Sequence, residues 1–258
     1  MIRWLRNRRR KRILDQPFPD GAESALHADV AFYGQLDRTQ QRALRDLVQV
    51  FIAEKGWVGC AGVDITIEKK AVVAAQACLL LLGLKHNYYR HVKSILIYPN
   101  TYQVPTKRVG AAGVVTESRS ARLGEAWYRG PIVLSWADTL AGARNAADGR
   151  NVVIHEFAHK LDFLDGSGNG TPPLPDRAAM ETWREVMTTA YEKLVDRTQR
   201  GRATLLNKYG ATNPPEFFAV ATEAFFEKSR QLQRKHPDLY TVLQDYFGQD
   251  PASWLTTR

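Results

Sequence analysis

The sequence predicts an α+β fold in which a helix carrying HExxH packs on a small mixed sheet, preceded by a mostly helical N-terminal region. Three observations predict it. Apolar residues recur at helical spacing in several stretches, short β-rich runs stand between them, and residues 152–162 are apolar except for groups spaced along a helix. At 258 residues, 44% apolar and 24% charged, the chain can bury a substantial core, as one domain or two intimate ones.

Residues 1–20 read as a basic, flexible tail. Arg3, Arg6, Arg8, Arg9, Arg10, Lys11 and Arg12 stand without an acid in the first twelve residues, so they account for seven of the nine excess positive charges and leave +2 (9 − 7) for the body. A folded nucleic-acid surface is therefore not expected. A frayed terminus is preferred to one resting on anionic lipid, and with no apolar run after the arginines it is not a secretory signal.

Residues 21–91 form the expected helical region. From Leu36 to Phe51, apolar Leu44, Leu47, Val48 and Phe51 mark one helix face, and Lys55-Gly56-Trp57 breaks it. Val63 to Ile67 alternates like a short strand. Ala71 to Leu84 holds Gln76 as its one polar residue; fourteen residues are too few to cross a bilayer, so this is a buried helix and no transmembrane segment is expected. His86 and His91, five apart, fit a helix poorly and read as surface or loop residues. Cys60 and Cys78 lack CxxC spacing and sit in apolar surroundings, which suits reduced thiols in a cytoplasmic protein.

Residues 92–258 carry the chemistry. Strands are expected at Val92 to Tyr98, around Gly113-Val114-Val115, and at Gly130 to Trp136, the last offering an edge on which an extended peptide could pair. The polar turn Asn145 to Asn151 starts the HExxH helix and glycine-rich residues 166–173 end it as a mobile loop. Asp176 to Val195 is an amphipathic helix with Trp183, Val186, Met187, Ala190 and Leu194 on its apolar side. Asn213 and Pro214 are a good N-cap and first residue for a further, nearly all-apolar helix interrupted by Glu216 and Glu223.

In His155-Glu156-Phe157-Ala158-His159, the two imidazoles lie four apart and so project from one helix face, where both can reach one zinc ion. Glu156 then lies beside the metal, placed to take a proton from its water. With six His and twelve Glu, chance alone would produce the motif in roughly one such chain in 150. Burying these groups without a partner would cost several kcal/mol. A catalytic zinc needs a third protein ligand. Asp165, ten residues after His155, is one candidate, but that arrangement wants glycine where Asp162 stands. Glu216 and Glu223, seven apart among phenylalanines, are preferred, with Glu216 ahead. Glu216 could instead close a capping box with Asn213, and Glu223 could hold a ligating imidazole from behind. Asp162 could orient an imidazole too, or hold backbone or an arginine.

These segments resemble the Mlc titration factor A family of zinc-dependent peptidases over nearly the whole chain. The matching stretches are Ile95-Leu96-Ile97-Tyr98-Pro99, Gly124-Glu125-Ala126-Trp127 with Gly130-Pro131-Ile132-Val133-Leu134, His155 to Asp162, and Asn213 to Val220 with Glu223. The resemblance implies a zincin-like catalytic domain similar to the protease domain of anthrax lethal factor. It implies a gluzincin-type site: His155, His159 and Glu216 binding one zinc (Zn2+), Glu156 as catalytic base, and aminopeptidase-type hydrolysis of a peptide substrate. Tyr209 resembles the family's tyrosine near the metal and is expected to donate to the oxyanion. Members bind the glucose repressor Mlc, so a transcriptional repressor of that type is an expected partner, whereas the arginine tail lies outside the pattern. The rival expectation is a zinc-stabilised titration protein with little activity. Glu156 argues against it, because a structural zinc site needs no base.

Overall fold

Side-chain caps and helix-forming composition set most elements before packing is considered. The computed structural model describes residues 2–100 and 130–254. In chain order these form α1 (Ile2–Leu14), α2 (Ala22–Asp29), α3 (Arg38–Glu54), β1 (Gly56–Gly59), α4 (Ile67–Leu79), β2 (Ser94–Tyr98), β3 (Ile132–Ser135) and α5 (Trp136–Arg144). There follow α6 (Val152–Asp162), α7 (Arg177–Gln199), α8 (Pro214–Glu227), α9 (Ser229–Lys235) and α10 (Pro237–Phe247). Asp37 starts α3 with a capping box to Gln40, and Leu44, Leu47, Val48 and Phe51 are buried along its inner face. Helix α4 is buried from Ala71 to Leu79 and packs on α2, α3 and α6. One hydrophobic core runs from Ala22 to Trp254, an α+β arrangement dominated by helices.

The sheet differs from expectation in two ways. Its first strand is Gly56–Gly59, not residues 63–67: Val63 N–H closes a turn on Cys60, and Thr66 caps α4 by accepting from Lys69 N–H, which draws Ile67 into the helix. Alternation alone could not distinguish the two stretches, whereas Gly56 to Gly59 finds a hydrogen-bonding partner in Ser94 to Ile97. Secondly, the described strands pair in parallel, in the order β1-β2-β3, rather than as a mixed sheet. Parallel neighbours need a crossover, which α4 supplies between β1 and β2. The strand expected near Gly113 lies outside the described residues. Ile95, Ile97, Ile132 and Leu134 bury one face of the sheet, while Val58 and Val133 are exposed on the other. The run ending at Trp136 stops at Ser135, whose hydroxyl accepts from Asp138 N–H and starts α5 instead. Among the described residues no helix is long and apolar enough to cross a membrane.

The basic N-terminus is helical rather than a flexible tail. Arginine, lysine and leucine are strong helix formers, and α1 docks on α3 through Arg10 and through its C-terminal carbonyls. The Arg10 guanidinium donates to both Glu54 carboxylate oxygens (2.8 and 2.7 Å) and to the Asn87 carbonyl, and lies 4.1 Å from the Tyr88 ring centre. Burial would raise the Glu54 carboxyl, but Arg10 outweighs it and holds it below its ordinary value. At the other end, Gln49 Nε2 donates to the carbonyls of Ile13, Gln16 and Pro17, serving groups that a helix C-terminus leaves unpaired. Partly buried His86 and His91 lie in the loop after α4, a segment pinned by Lys55 Nζ donating to the carbonyls of Tyr88, Tyr89 and Val92.

Arg10→Ala should cost about 2–3 kcal/mol of stability, because it strands a largely buried carboxylate. Urea unfolding checks this, together with Glu54→Gln made in the Arg10→Ala background, which should cost far less than Glu54→Gln alone. A frayed tail would leave the Arg10→Ala midpoint where it is in the parent.

Candidate metal centre

Asn151 begins the central helix: its side chain accepts from Ile154 N–H at 3.0 Å. Val153, Ile154, Phe157, Ala158 and Leu161 bury one side of α6, which fixes the direction in which His155, Glu156 and His159 project. Helix α8 packs alongside. Its start is set by Asn213, whose side chain accepts from Glu216 N–H at 2.9 Å, followed by two prolines that cannot donate in any case. The Glu216 carboxylate is turned toward α6 instead of closing a capping box.

Two helices thus bring three donor atoms together. Glu216 Oε2 lies 3.0 Å from His155 Nε2 and 3.4 Å from His159 Nε2, and the two ring nitrogens are 3.3 Å apart. Ligand atoms of a tetrahedral zinc, at about 2.0–2.1 Å from the ion, are separated by roughly 3.3 Å. Among the described residues this donor set therefore fits a metal ion bound by His155, His159 and Glu216. Burial opposes a charge on His155, yet the hydrogen bonds to Glu216 and Glu223 outweigh it and push the imidazole up to about 10. Glu216 is drawn down to about 2 by the same histidines, against the effect of burial. The cluster stabilises positive charge strongly.

Glu223, two turns further along α8, reaches the far side of the same ring: Oε1 lies 2.7 Å from His155 Nδ1, and Oε2 accepts from Asn151 N–H at 2.8 Å. A carboxylate on Nδ1 fixes the tautomer and turns Nε2 outward, the arrangement common behind metal-bound histidines. Glu156 is partly buried next to this cluster, and burial raises its carboxyl although the histidines pull the other way. Tyr209 is 54% exposed at the rim, its ring centre 6.0 Å from that of His155. Burial, then the charge of Glu216 and a hydrogen bond to it, raises the phenol.

Asp162 holds backbone. Its two carboxylate oxygens each accept from Gly170 N–H at 2.9 Å, and burial raises it to about 6. Gly170 has φ +85°, and a Cβ there would fall 2.6 Å from the Pro214 carbonyl oxygen, so glycine lets the loop lie against the start of α8. Asp165 is exposed and accepts from Ser167, outside the cluster.

The sequence reading missed Glu227 and the full part of Asn151. Glu227 accepts from Arg150 N–H at 2.9 Å and from Asn151 Nδ2 at 3.0 Å, bracing the turn that launches α6. A signal was present: Glu216, Glu223 and Glu227 are seven and four apart, on one face of an otherwise apolar helix.

Residues 4–248 match the model of the glucose-regulated metallo-peptidase M90 family. The chain belongs to that family. The match starts inside the arginine-rich segment, so most of α1 is part of the M90 pattern rather than an addition to it. An uncharacterized protein of Synechocystis sp., slr2042, is 39% identical over 249 residues, 96% of this chain and 90% of its own length. Mlc titration factor A of Cronobacter sakazakii is 31% identical over 87% of this chain and 84% of its own length; that of Klebsiella pneumoniae is 32% identical, over 84% and 82%. The resemblance read from the motifs is thus a family relationship, and the M90 chain carries a group able to hold the metal that its family name implies.

Burial, reinforced by the charges of Asp148 and Glu223, raises the Glu227 carboxyl to about 8. The fold therefore keeps a proton that the unfolded chain releases above its ordinary value of 4.5, and stability drawn from it falls as pH rises from 4.5 through about 8. Glu227→Gln cannot ionise. Its amide nitrogen cannot accept, so it gives up one of the two hydrogen bonds and should melt below the parent near pH 5, by a margin that narrows near pH 9, as measured by thermal denaturation at both values.

Proposed function

We propose that this M90 protein is a zinc-dependent peptidase of aminopeptidase type, with His155, His159 and Glu216 as the zinc ligands and Glu156 as general base. One observation carries the reading: three donor atoms at tetrahedral spacing stand beside a carboxylate that is not among them, in a chain of a metallopeptidase family. Zinc in such a site lowers the pKa of water from 15.7 towards ~7 and polarises a carbonyl.

The chain's own groups divide the remaining work. Glu156, its carboxyl raised by burial, accepts a proton from the attacking water and delivers it to the leaving amine. Glu223 keeps the His155 ring in place through Nδ1. The Tyr209 hydroxyl, exposed at the rim, donates to the oxyanion of the tetrahedral intermediate. β3, an outer strand of the described sheet, offers backbone groups to an extended peptide, which would hold the substrate without reading its side chains. We read the whole as a zincin-like domain over residues 92–258 joined to residues 21–91 in one compact unit, since a single core spans both.

The name of the Cronobacter and Klebsiella relatives adds a second role. We propose that this chain also binds a transcriptional repressor of the Mlc type, from a cytoplasmic location. A titration protein with a purely structural zinc would have no use for Glu156 in its present position, which favours the enzyme.

Glu156→Gln retains size and shape but cannot take up the proton. Its kcat/KM on a peptide or aminoacyl amide should fall by about 10² to 10⁴ while zinc content and melting temperature stay at parental values. Unchanged cleavage would remove Glu156 from the mechanism, and no cleavage of a broad peptide library by either protein would favour the titration role.

Glu216→Ala, by contrast, should lose most of its zinc in elemental analysis. Full occupancy there, with loss in Glu223→Ala, would transfer the ligand role to Glu223.

A further inference from the structure

A cavity of about 500 Å³ lies apart from the histidines, between the second half of α7, residues 203–206 and the segment from Lys228 through α9. Its walls are cationic. Ala190, Lys193, Leu194 and Arg197 line it from α7 at helical spacing, and Lys228, Gln231 and Lys235 face them from the other side, spaced three and four apart. His236 completes the ring, and no carboxylate is among the described residues that line the space.

The nearby acids are committed elsewhere: Asp196 pairs with Arg200 at 2.7 Å, and Glu227 accepts from Arg150 and Asn151. Helix dipoles account for Arg197 and Lys235, each in a last turn. They do not account for Lys193, which stands four residues from Arg197 on the same face, a like-charge spacing that disfavours a helix. Lys228 differs from the others, because its Cδ, Cε and Nζ all lie over Gly149, so the charge of that wall rests on Lys235. Arg197 is already oriented, because Nε and Nη2 donate to the Ala203 carbonyl, leaving its other N–H groups for a ligand. His236 is held below its ordinary value by burial first and then by Lys193, Lys235 and Arg197, so these charges converge on one region. Leu194 and Leu206 supply an apolar floor.

We infer that this cavity is a binding site for a small anion carrying two or more negative charges, a phosphate compound or a polycarboxylate, distinct from the metal centre. The volume is that of an ordinary small-molecule pocket. Several cations around a space with no carboxylate among its described lining residues suit a compact multiple charge, with Arg197 able to bind two oxygens at once. The chain from 203 to 206 continues into Asn207, which borders a separate cavity beside His155 and Glu223, so the two sites share a segment.

The test is calorimetric titration of the intact protein at low ionic strength with inorganic pyrophosphate and, separately, with citrate. At least one should bind with a Kd below about 1 mM. Binding by pyrophosphate alone assigns a phosphate ligand, by citrate alone a polycarboxylate, and by both a site selective for compact charge. Lys193→Gln/Arg197→Gln should weaken binding about tenfold or more. Lys228→Gln/Lys235→Gln, which leaves the Arg197 contact to Ala203 intact, should do the same from the opposite wall, while Glu216→Ala should bind as the parent does. The inference fails if neither anion binds up to ~10 mM, if binding survives both double variants, or if it disappears in Glu216→Ala, which would place the anion on the metal.

Discussion

The contact between α6 and α8 is the constraint on which the rest depends, and Glu223 is its joint. One carboxylate holds the His155 ring through Nδ1 and the backbone at the start of α6 through Asn151 N–H. Glu227 braces the preceding residue from the same helix. A carboxylate inserted among Phe217, Phe218, Phe225 and Phe226 would cost several kcal/mol if left unpaired. The fold therefore gains from α8 only when its acids meet α6 in this register, and the same docking sets the position of the His155 and Glu216 donor atoms.

That arrangement concentrates negative charge. Glu156, Glu216, Glu223 and Glu227 gather around two imidazoles and the turn before them, and their different environments separate their behaviour. Glu216 ionises readily because two histidines face it, whereas buried Glu227 retains its proton and serves as a neutral brace. A divalent cation answers the first need directly, since it replaces the proton that His155 would otherwise hold. The cationic cavity is the electrostatic opposite, and residues 203–206 on its wall run into Asn207, which borders the cavity beside His155 and Glu223.

The N-terminal helix shows how composition misleads about order. Seven positive charges in twelve residues describe a segment that ought to repel itself, and the first acid in sequence, Asp15, stands past the end of the helix. Its partner, Glu54, is forty-four residues away, and its C-terminal carbonyls are served by Gln49. Gln49 lies well off the expected apolar stripe of α3, whereas Glu54, seven residues after Leu47 and three after Phe51, lies along its edge, where sequence periodicity reads a charged residue as facing solvent.

What the sequence by itself determined was local: the imidazoles four apart on one helix face, the start of α8 at Asn213-Pro214, and the burial of the apolar stretch in α4. Each follows from the 3.6-residue period, from capping chemistry or from hydrophobicity, all of which operate within a few residues. Tertiary structure decided which stretch after α3 became a strand, because a strand needs a partner and Gly56 to Gly59 met Ser94 to Ile97. It also decided how the two candidate glutamates divide. Seven residues place both on one face of α8 but roughly 10 Å apart along its axis, so only the docking of α8 against α6 could set Glu216 at Nε2 and Glu223 at Nδ1 of the same ring.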